Sequence, residues 1–186
     1  AFGIPLQFEK TYTEGISQVS PEDIIYAKEL GYTIKHLGIA RLLEAGVEIR
    51  VHPTLISNKN LLASVNGVSN AILVNGNAVG STLYSGPGAG AEATASSVVA
   101  DVIDIARYQA AEMKKPAIPT LGYLKHHKNV PVLKIEDIRS EYYLRIFVKD
   151  KVGVMANISS ILQRHEISIE AVIQKEAVSE NVPIVI

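Results

Sequence analysis

The run Tyr84-Ser85-Gly86-Pro87-Gly88-Ala89-Gly90-Ala91-Glu92 has the residue types and spacing best suited to chemistry in this chain. Three glycines at alternate positions leave a strand-like run and enter a long helical pattern. Without a Cβ, glycine reaches positive φ and lets a flat ligand or another backbone come close. The unpaired N–H groups of the following helix face the same place, where a phosphate or other anion would be held. A tight strand-to-helix turn with no ligand explains the same residues. A second such place is Lys149-Asp150-Lys151-Val152-Gly153, where the free N–H groups of a helix start could hold a small carboxylate; an unliganded turn again explains the pattern equally well. His52 has the chemistry of an acid/base or a metal ligand, but no second ligand lies at a convincing spacing, so a solvated or hydrogen-bonded strand histidine is the simpler reading. His126-His127 is too isolated for a metal site, and Asp101 and Asp104 read as a solvated helix face rather than an acid/base pair.

Several chemistries are excluded by pattern. The glycines are spaced Gly-x-Gly-x-Gly after a hairpin, whereas a dinucleotide fingerprint needs Gly-x-Gly-x-x-Gly inside a βαβ unit with an acid further on. No Gly-Lys-Ser/Thr follows them, and no Gly-x-Ser-x-Gly elbow or Ser/His/Asp set is present.

The elements that must position the glycine turn are legible. Ser20-Pro21-Glu22-Asp23 starts a helix with a hydroxyl cap, proline at the first position and acids in the first turn; Ile24, Ala27 and Leu30 supply its inner face and Gly31 stops it. The period then falls to two. Tyr32–Leu43 and Val47–Ile56 flank a Glu44-Ala45-Gly46 turn, with Val47, Ile49 and Val51 on one face of the second strand and Glu48, Arg50 and His52 on a wet or functional face. The Glu48/Arg50 pair reads as polar surface or a cross-strand ion pair. Lys59–Val65 suits a short helix. Asn70–Val74 and Ala78–Tyr84 flank Asn75-Gly76-Asn77, a hairpin turn signal, and deliver the chain to the glycines. Beyond them Val98, Val99, Val102, Ile105 and Ala106 form an apolar stripe opposite Asp101, Asp104 and Tyr108.

Residues 114–133 break every period with Pro116, Pro119, Gly122 and Pro131 and read as a linker. The tail then runs Glu141–Asp150 (strand), a helix with Val154, Ile158, Ile161, Leu162 and His165 on one face, Ile167–Lys175 (strand) and Val182–Ile186 (strand). That is β-α-β-β, a ferredoxin-like unit without its last helix and strand. The fold class expected is α+β: a mainly antiparallel sheet with helices packed on one face, then this partial module. The domains expected are 1–113, a linker 114–138, and 139–186.

The chain has 186 residues, 47% apolar and 20% charged, which is a globular composition. A formal net charge of -1 gives no basic footprint for nucleic acid or an anionic membrane. There is no cysteine, which removes disulfides and thiolate sites. With no long apolar run, no signal region and no lipidation motif, a soluble cytoplasmic protein is expected. The chain opens at Ala1 without methionine and closes on the apolar run Val182–Ile186, and we expect a piece of a longer protein.

Several runs closely resemble the catalytic domain of homoserine dehydrogenase: Phe8 to Ile16, Asp23 to Gly31, Leu37-Gly38-Ile39-Ala40, Arg50-Val51-His52-Pro53-Thr54, Tyr84 to Gly90 and Thr94 to Asp101, in family order over nearly all of residues 1–107. The tail resembles an ACT domain, an amino-acid-sensing module, through Asp150-Lys151-Val152-Gly153-Val154-Met155-Ala156. The resemblance implies NAD(P)-linked interconversion of aspartate semialdehyde and homoserine, a step toward threonine, methionine and isoleucine. It implies that the dinucleotide-binding domain, the proton-shuttling lysine and the substrate-holding acids lie N-terminal to Ala1, so that no catalytic residue is expected in this chain. Gly86, Gly88 and Gly90 would form a close-approach turn near the nicotinamide end of NAD or NADP. Asp150, Gly153, Val154 and Asn157 would be the positions for an amino-acid effector, threonine first. No metal is implied. Ala93 departs from the family, which more often has proline there and so fixes φ at the helix start.

Two other readings compete with an oxidoreductase fragment. One is a stand-alone ACT-type regulatory protein with residues 1–110 as scaffold; the other is an oligomerisation module that binds neither cofactor nor amino acid. The oxidoreductase reading carries two expectations: the chain alone does not oxidise homoserine, and it forms a homo-oligomer, a dimer. The choice between NAD and NADP rests with residues of the upstream domain.

Overall fold

Ser20 opens the first helix with a reciprocal cap: its Oγ accepts from the Asp23 N–H at 3.3 Å and its own N–H donates to Asp23 Oδ2 at 2.8 Å. In the computed structural model, which describes residues 2–5, 7–110, 130–175 and 181–186, α1 spans Pro21–Glu29 and Gly31 turns the chain at φ +82. Its buried residues are Asp23, Tyr26 and Ala27, whereas Ile24, expected on the inner face, is 57% exposed. The apolar spacing of Ile24, Ala27 and Leu30 is compatible with one helix face. Two other elements nevertheless pack on α1 and rotate its buried side onto Asp23 and Tyr26.

β1 (Tyr12–Thr13), β2 (Tyr32–Leu42) and β3 (Val47–Ser57) form a sheet in the order β1-β3-β2, with β2 antiparallel and β1 parallel to β3. Pairs run from Tyr32↔Ser57 to Leu42↔Val47, so the hairpin is long and α1 lies against β2. The end of the expected linker adds to it: the Val47 N–H donates to the Pro131 carbonyl and the Leu133 N–H to the Val47 carbonyl, both at 2.8 Å. Residues 130–133 therefore form part of the sheet's edge. Covering that edge buries Val47 and Glu48, and Glu48 is only 1% exposed. The face expected to be wet is closed at this end.

Leu61–Ser64 forms a single 3₁₀ turn in place of the expected helix. β4 (Ser69–Gly76) and β5 (Gly80–Pro87) pair as a two-stranded hairpin in which Gly76 opposes Gly80. Its turn is Asn77-Ala78-Val79, with positive φ (+78) at Gly80 rather than at Asn75 or Gly76, two residues beyond the expected turn. α2 spans Ala91–Ala110 and none of its residues is buried; the stripe Val98, Val99, Val102 and Ile105 is exposed among the described residues.

β6 (Arg145–Lys149), α3 (Val154–Arg164), β7 (Ile173–Gln174) and β8 (Asn181–Val185) form the tail. β8 lies between β6 and β7 and is antiparallel to both. The order β6-β8-β7 is that of a split β-α-β unit with its hairpin return strand inserted at the centre. Val182, Ile184 and Val185 are therefore buried on both faces of β8. The half-buried side of α3 is Val154, Met155, Ile158, Ser159 and Leu162, while the expected Ile161 and His165 are exposed.

Candidate functional site

β5 carries its ladder through Gly86 and Pro87, opposite Asn70 and Ser69, and α2 starts four residues beyond. The three glycines between them do different work. The Gly88 N–H donates to the Val68 carbonyl at 3.0 Å, and a Cβ on Gly88 would lie 2.0 Å from Asn70 Nδ2. A side chain at that position would have to displace the exposed Asn70 side chain of β4. Gly90 has φ +122, which L side chains rarely adopt, and its carbonyl accepts from the Thr94 N–H at 3.1 Å to begin α2. A Cβ on Gly86 or Gly90 would meet nothing within 4 Å. A flat group can thus reach the backbone at those two glycines, and an open hollow there is lined by Pro87, Ala89, Gly90, Ala91, Glu92 and Ala93. α2 begins at Ala91 although Ala93 replaces the expected proline.

The second candidate lies between β6, α3 and β7. Gly153 stands at φ +91 as the cap of α3, and its carbonyl accepts from the Asn157 N–H at 3.0 Å. Asp150, Gly153 and Val154 border a cleft of about 310 Å³ together with Lys149, Gln174 and Ile184. Asn157 sits one turn further along α3, outside that lining. Lysines on both sides of Asp150 and a helix N-terminus favour a ligand with a carboxylate. Gln174 and Ile184 escape sequence reasoning because nothing local says that β7 and β8 end beside the β6–α3 turn.

Glu48, Arg50 and His52 do share one face of β3. Arg50 Nε lies 2.7 Å from Glu48 Oε1, and Arg41 Nη1 lies 3.6 Å from Glu48 Oε2. Glu48 and Arg50, expected as polar surface or a cross-strand pair, form a same-strand pair buried on the Glu48 side, while the cross-strand ion pair is the one Glu48 makes with Arg41, its register partner on β2. His52 Nδ1 lies 2.7 Å from the Pro53 carbonyl, so this nitrogen carries the proton and donates; the ring stands edge-on to Tyr12 at 6.2 Å. Among the described residues no three His, Asp or Glu side chains converge on a metal position. Asp104 pairs with Arg107 at 3.2 Å on the exposed side of α2. His126 and His127 lie outside the described residues.

A cluster that local patterns miss joins the tail to α1. Asp23 Oδ1 accepts from Arg145 Nε at 2.6 Å and from the Tyr143 hydroxyl at 2.8 Å. Arg145 Nη2 donates to Asp23 Oδ2 and to Ser20 Oγ, each at 3.1 Å. Burial pushes the Asp23 carboxyl up, but the Arg145, Ser20 and Tyr143 donors outweigh it and hold it down at about 2. Burial and donation to Asp23 raise the Tyr143 hydroxyl above its ordinary value.

The homoserine dehydrogenase family profile matches residues 1–103, more than half of the chain. The chain belongs to the homoserine dehydrogenase family. The ACT domain family matches residues 142–186. A homoserine dehydrogenase of Pseudomonas aeruginosa is 54% identical over 185 residues, covering 97% of this chain and 42% of that protein. One from Neisseria gonorrhoeae is 47% identical over 182 residues, again 97% and 42%. The crystal structure of a homoserine dehydrogenase from Thiobacillus denitrificans superposes with a TM-score of 0.86 at 50% identity, over 99% of this chain and 42% of that one. An S. aureus homoserine dehydrogenase at pH 6.0 gives 0.63 at 29% identity, over 97% and 42%. The chain thus spans about two-fifths of the length of the homoserine dehydrogenases it matches. The α+β class and the order of the two regions agree with these relatives. No helix among the described residues is long and apolar enough to cross a membrane.

Proposed function

We propose that this chain is the C-terminal part of a cytoplasmic homoserine dehydrogenase, with a substrate and dimerisation domain over 1–113, a connection over 114–138 and an ACT-like regulatory domain over 139–186. The complete enzyme interconverts L-homoserine and L-aspartate 4-semialdehyde with NAD or NADP, in the formation of threonine, methionine and isoleucine. The carrying observation is the β5–α2 turn, where Gly86 and Gly90 leave the backbone open while Gly88 is packed against Asn70. Such a turn suits the flat nicotinamide end of a cofactor held mainly by another domain. In the complete enzyme Gly86→Val then raises KM for NADPH and leaves KM for homoserine nearly unchanged. A variant with both constants unaltered removes the turn from the cofactor site.

The chain alone is expected to show no NAD(P)-dependent oxidation of homoserine, because it has no dinucleotide fingerprint to position the cofactor. Measurable turnover by the purified chain overturns this. The cleft beside Asp150, Gly153 and Val154 is proposed as the amino-acid effector site, with threonine as first candidate and Asn157 as an outer contact. Titration calorimetry with L-threonine tests it. The exposed stripe of α2, with Ile72, Val74 and Tyr84 of the neighbouring hairpin, supports a homodimer. A monomer mass by light scattering at micromolar concentration refutes that assembly.

A further inference from the structure

Strand alternation divides the tail's sheet between two tasks. Opposed residues of an antiparallel pair share a face, and neighbours along a strand take opposite faces. Val148, Ile184 and Gln174 line the cleft from one face, joined by Lys149 at the end of β6, while Arg145, pairing with Val185, belongs to the other face. That other face meets α1 at both ends. Arg145 and Tyr143 hold Asp23 and Ser20 at the helix N-terminus. Lys175, the residue after Gln174, pairs with Glu29 at the C-terminus and places its ammonium 4.9 Å from the centre of the Tyr26 ring. α1 in turn lies against β2, so it is held between two sheets.

We propose that α1 is the coupling element between the ACT-like module and the N-terminal sheet, clamped mainly by Asp23–Arg145 and secondarily by Glu29–Lys175. A small amino acid in the cleft then acts on the β2–β3 hairpin through α1, because Gln174 and Ile184 are bonded directly to residues on the α1 side. This transmission rests on the effector reading of the cleft; the clamp does not. The two contacts carry unequal weight. Asp23 and Arg145 are largely buried and bidentate, the geometry that makes a charge-assisted pair strong. Lys175 and Glu29 are each nearly half exposed, where ion pairs contribute little.

Hydrogen exchange read by mass spectrometry on the 186-residue chain tests the clamp without ligand. Arg145→Met is expected to speed exchange in residues 21–30 by about tenfold, Lys175→Met by about twofold, while residues 69–87 keep their wild-type rate. Arg145→Lys restores charge but not the planar fork and falls between wild type and Arg145→Met. Should Arg145→Met not fold, Tyr143→Phe removes one bond to Asp23 and is expected to give about a threefold increase. Wild-type exchange in α1 of both Arg145→Met and Tyr143→Phe, or of Tyr143→Phe alone where Arg145→Met does not fold, overturns the clamp. Calorimetry and exchange with L-threonine test transmission: binding that changes α1 exchange in the wild type, but not in Arg145→Met, supports it. Binding that leaves α1 exchange unaltered in the wild type overturns transmission while the effector site stands. Absence of binding removes the effector reading, and the clamp is then decided by the ligand-free exchange alone.

Discussion

The two longer-range helices of the N-terminal region, α1 and α2, reverse what their sequences promise. α2 is 20 residues long with a clear valine and isoleucine stripe, and none of its residues is buried. α1 has nine residues and a weak apolar pattern, yet Ala27 is 1% exposed and an aspartate is among its buried positions. A stripe states what a helix is able to bury; whether it is buried depends on what the chain brings to it. α1 receives β2 on one side and the tail's sheet on the other, with Arg145 neutralising the charge it carries inside and Tyr143 donating a hydrogen bond to it. α2 receives no such cover among the described residues, which is the physical basis for proposing that a second copy provides it.

The contrast can be broken most forcefully at Asp23. Asp23→Ala removes the helix cap and leaves Arg145 without its counter-charge, and is expected to cost about 3 kcal/mol in urea unfolding. The matching change on α2, Asp104→Ala, removes an exposed pair and is expected to stay within about 0.5 kcal/mol. Equal losses would show that α1 is no better anchored than α2.

Acid sharpens the same contrast. The Asp23 carboxyl titrates at about 2 when folded against 3.8 for an ordinary aspartate, so the unfolded chain takes up the proton first as pH falls. The contribution, on the order of 2 kcal/mol, is complete above about pH 4 and is lost as pH falls toward 2. Urea midpoints between pH 5 and pH 2 are expected to fall more steeply in the wild type than in Asp23→Asn.

Smaller effects are expected in the turn that feeds α2. Gly90→Ala forces alanine to a φ it rarely adopts and is expected to cost about 1–3 kcal/mol, whereas Gly88→Ala displaces the exposed Asn70 side chain and is expected to cost about 1 kcal/mol or less. Gly86→Ala meets open space and is expected to change stability by less than about 0.5 kcal/mol. Thermal unfolding of the three variants ranks them directly. Smallest of all, Val102→Ser on the α2 stripe is expected to leave the unfolding of dilute, monomeric chain within about 0.5 kcal/mol while weakening self-association. A large loss of stability in the monomer would mean that the stripe is covered within the chain.

The sequence by itself determined the elements whose causes are local. The capping box of Ser20 and Asp23, the stop at Gly31, the long hairpin from Tyr32 to Ser57, the strand–glycine–helix passage at Gly86–Gly90 and the β-α-β-β order of the tail all follow from side-chain chemistry within a few residues. Only the tertiary structure decided which faces close. Residues 130–133 cover the β3 edge and turn Glu48 from a wet position into a buried one. The tail's sheet selects Asp23 and Tyr26 over Ile24 as the inner side of α1, and Gln174 and Ile184 join Asp150 and Gly153 at one cleft. Those outcomes depend on contacts between residues far apart in the chain, such as Arg145 with Asp23. Hydrophobic period and turn chemistry specify the conformation of a segment but not the partner it will meet.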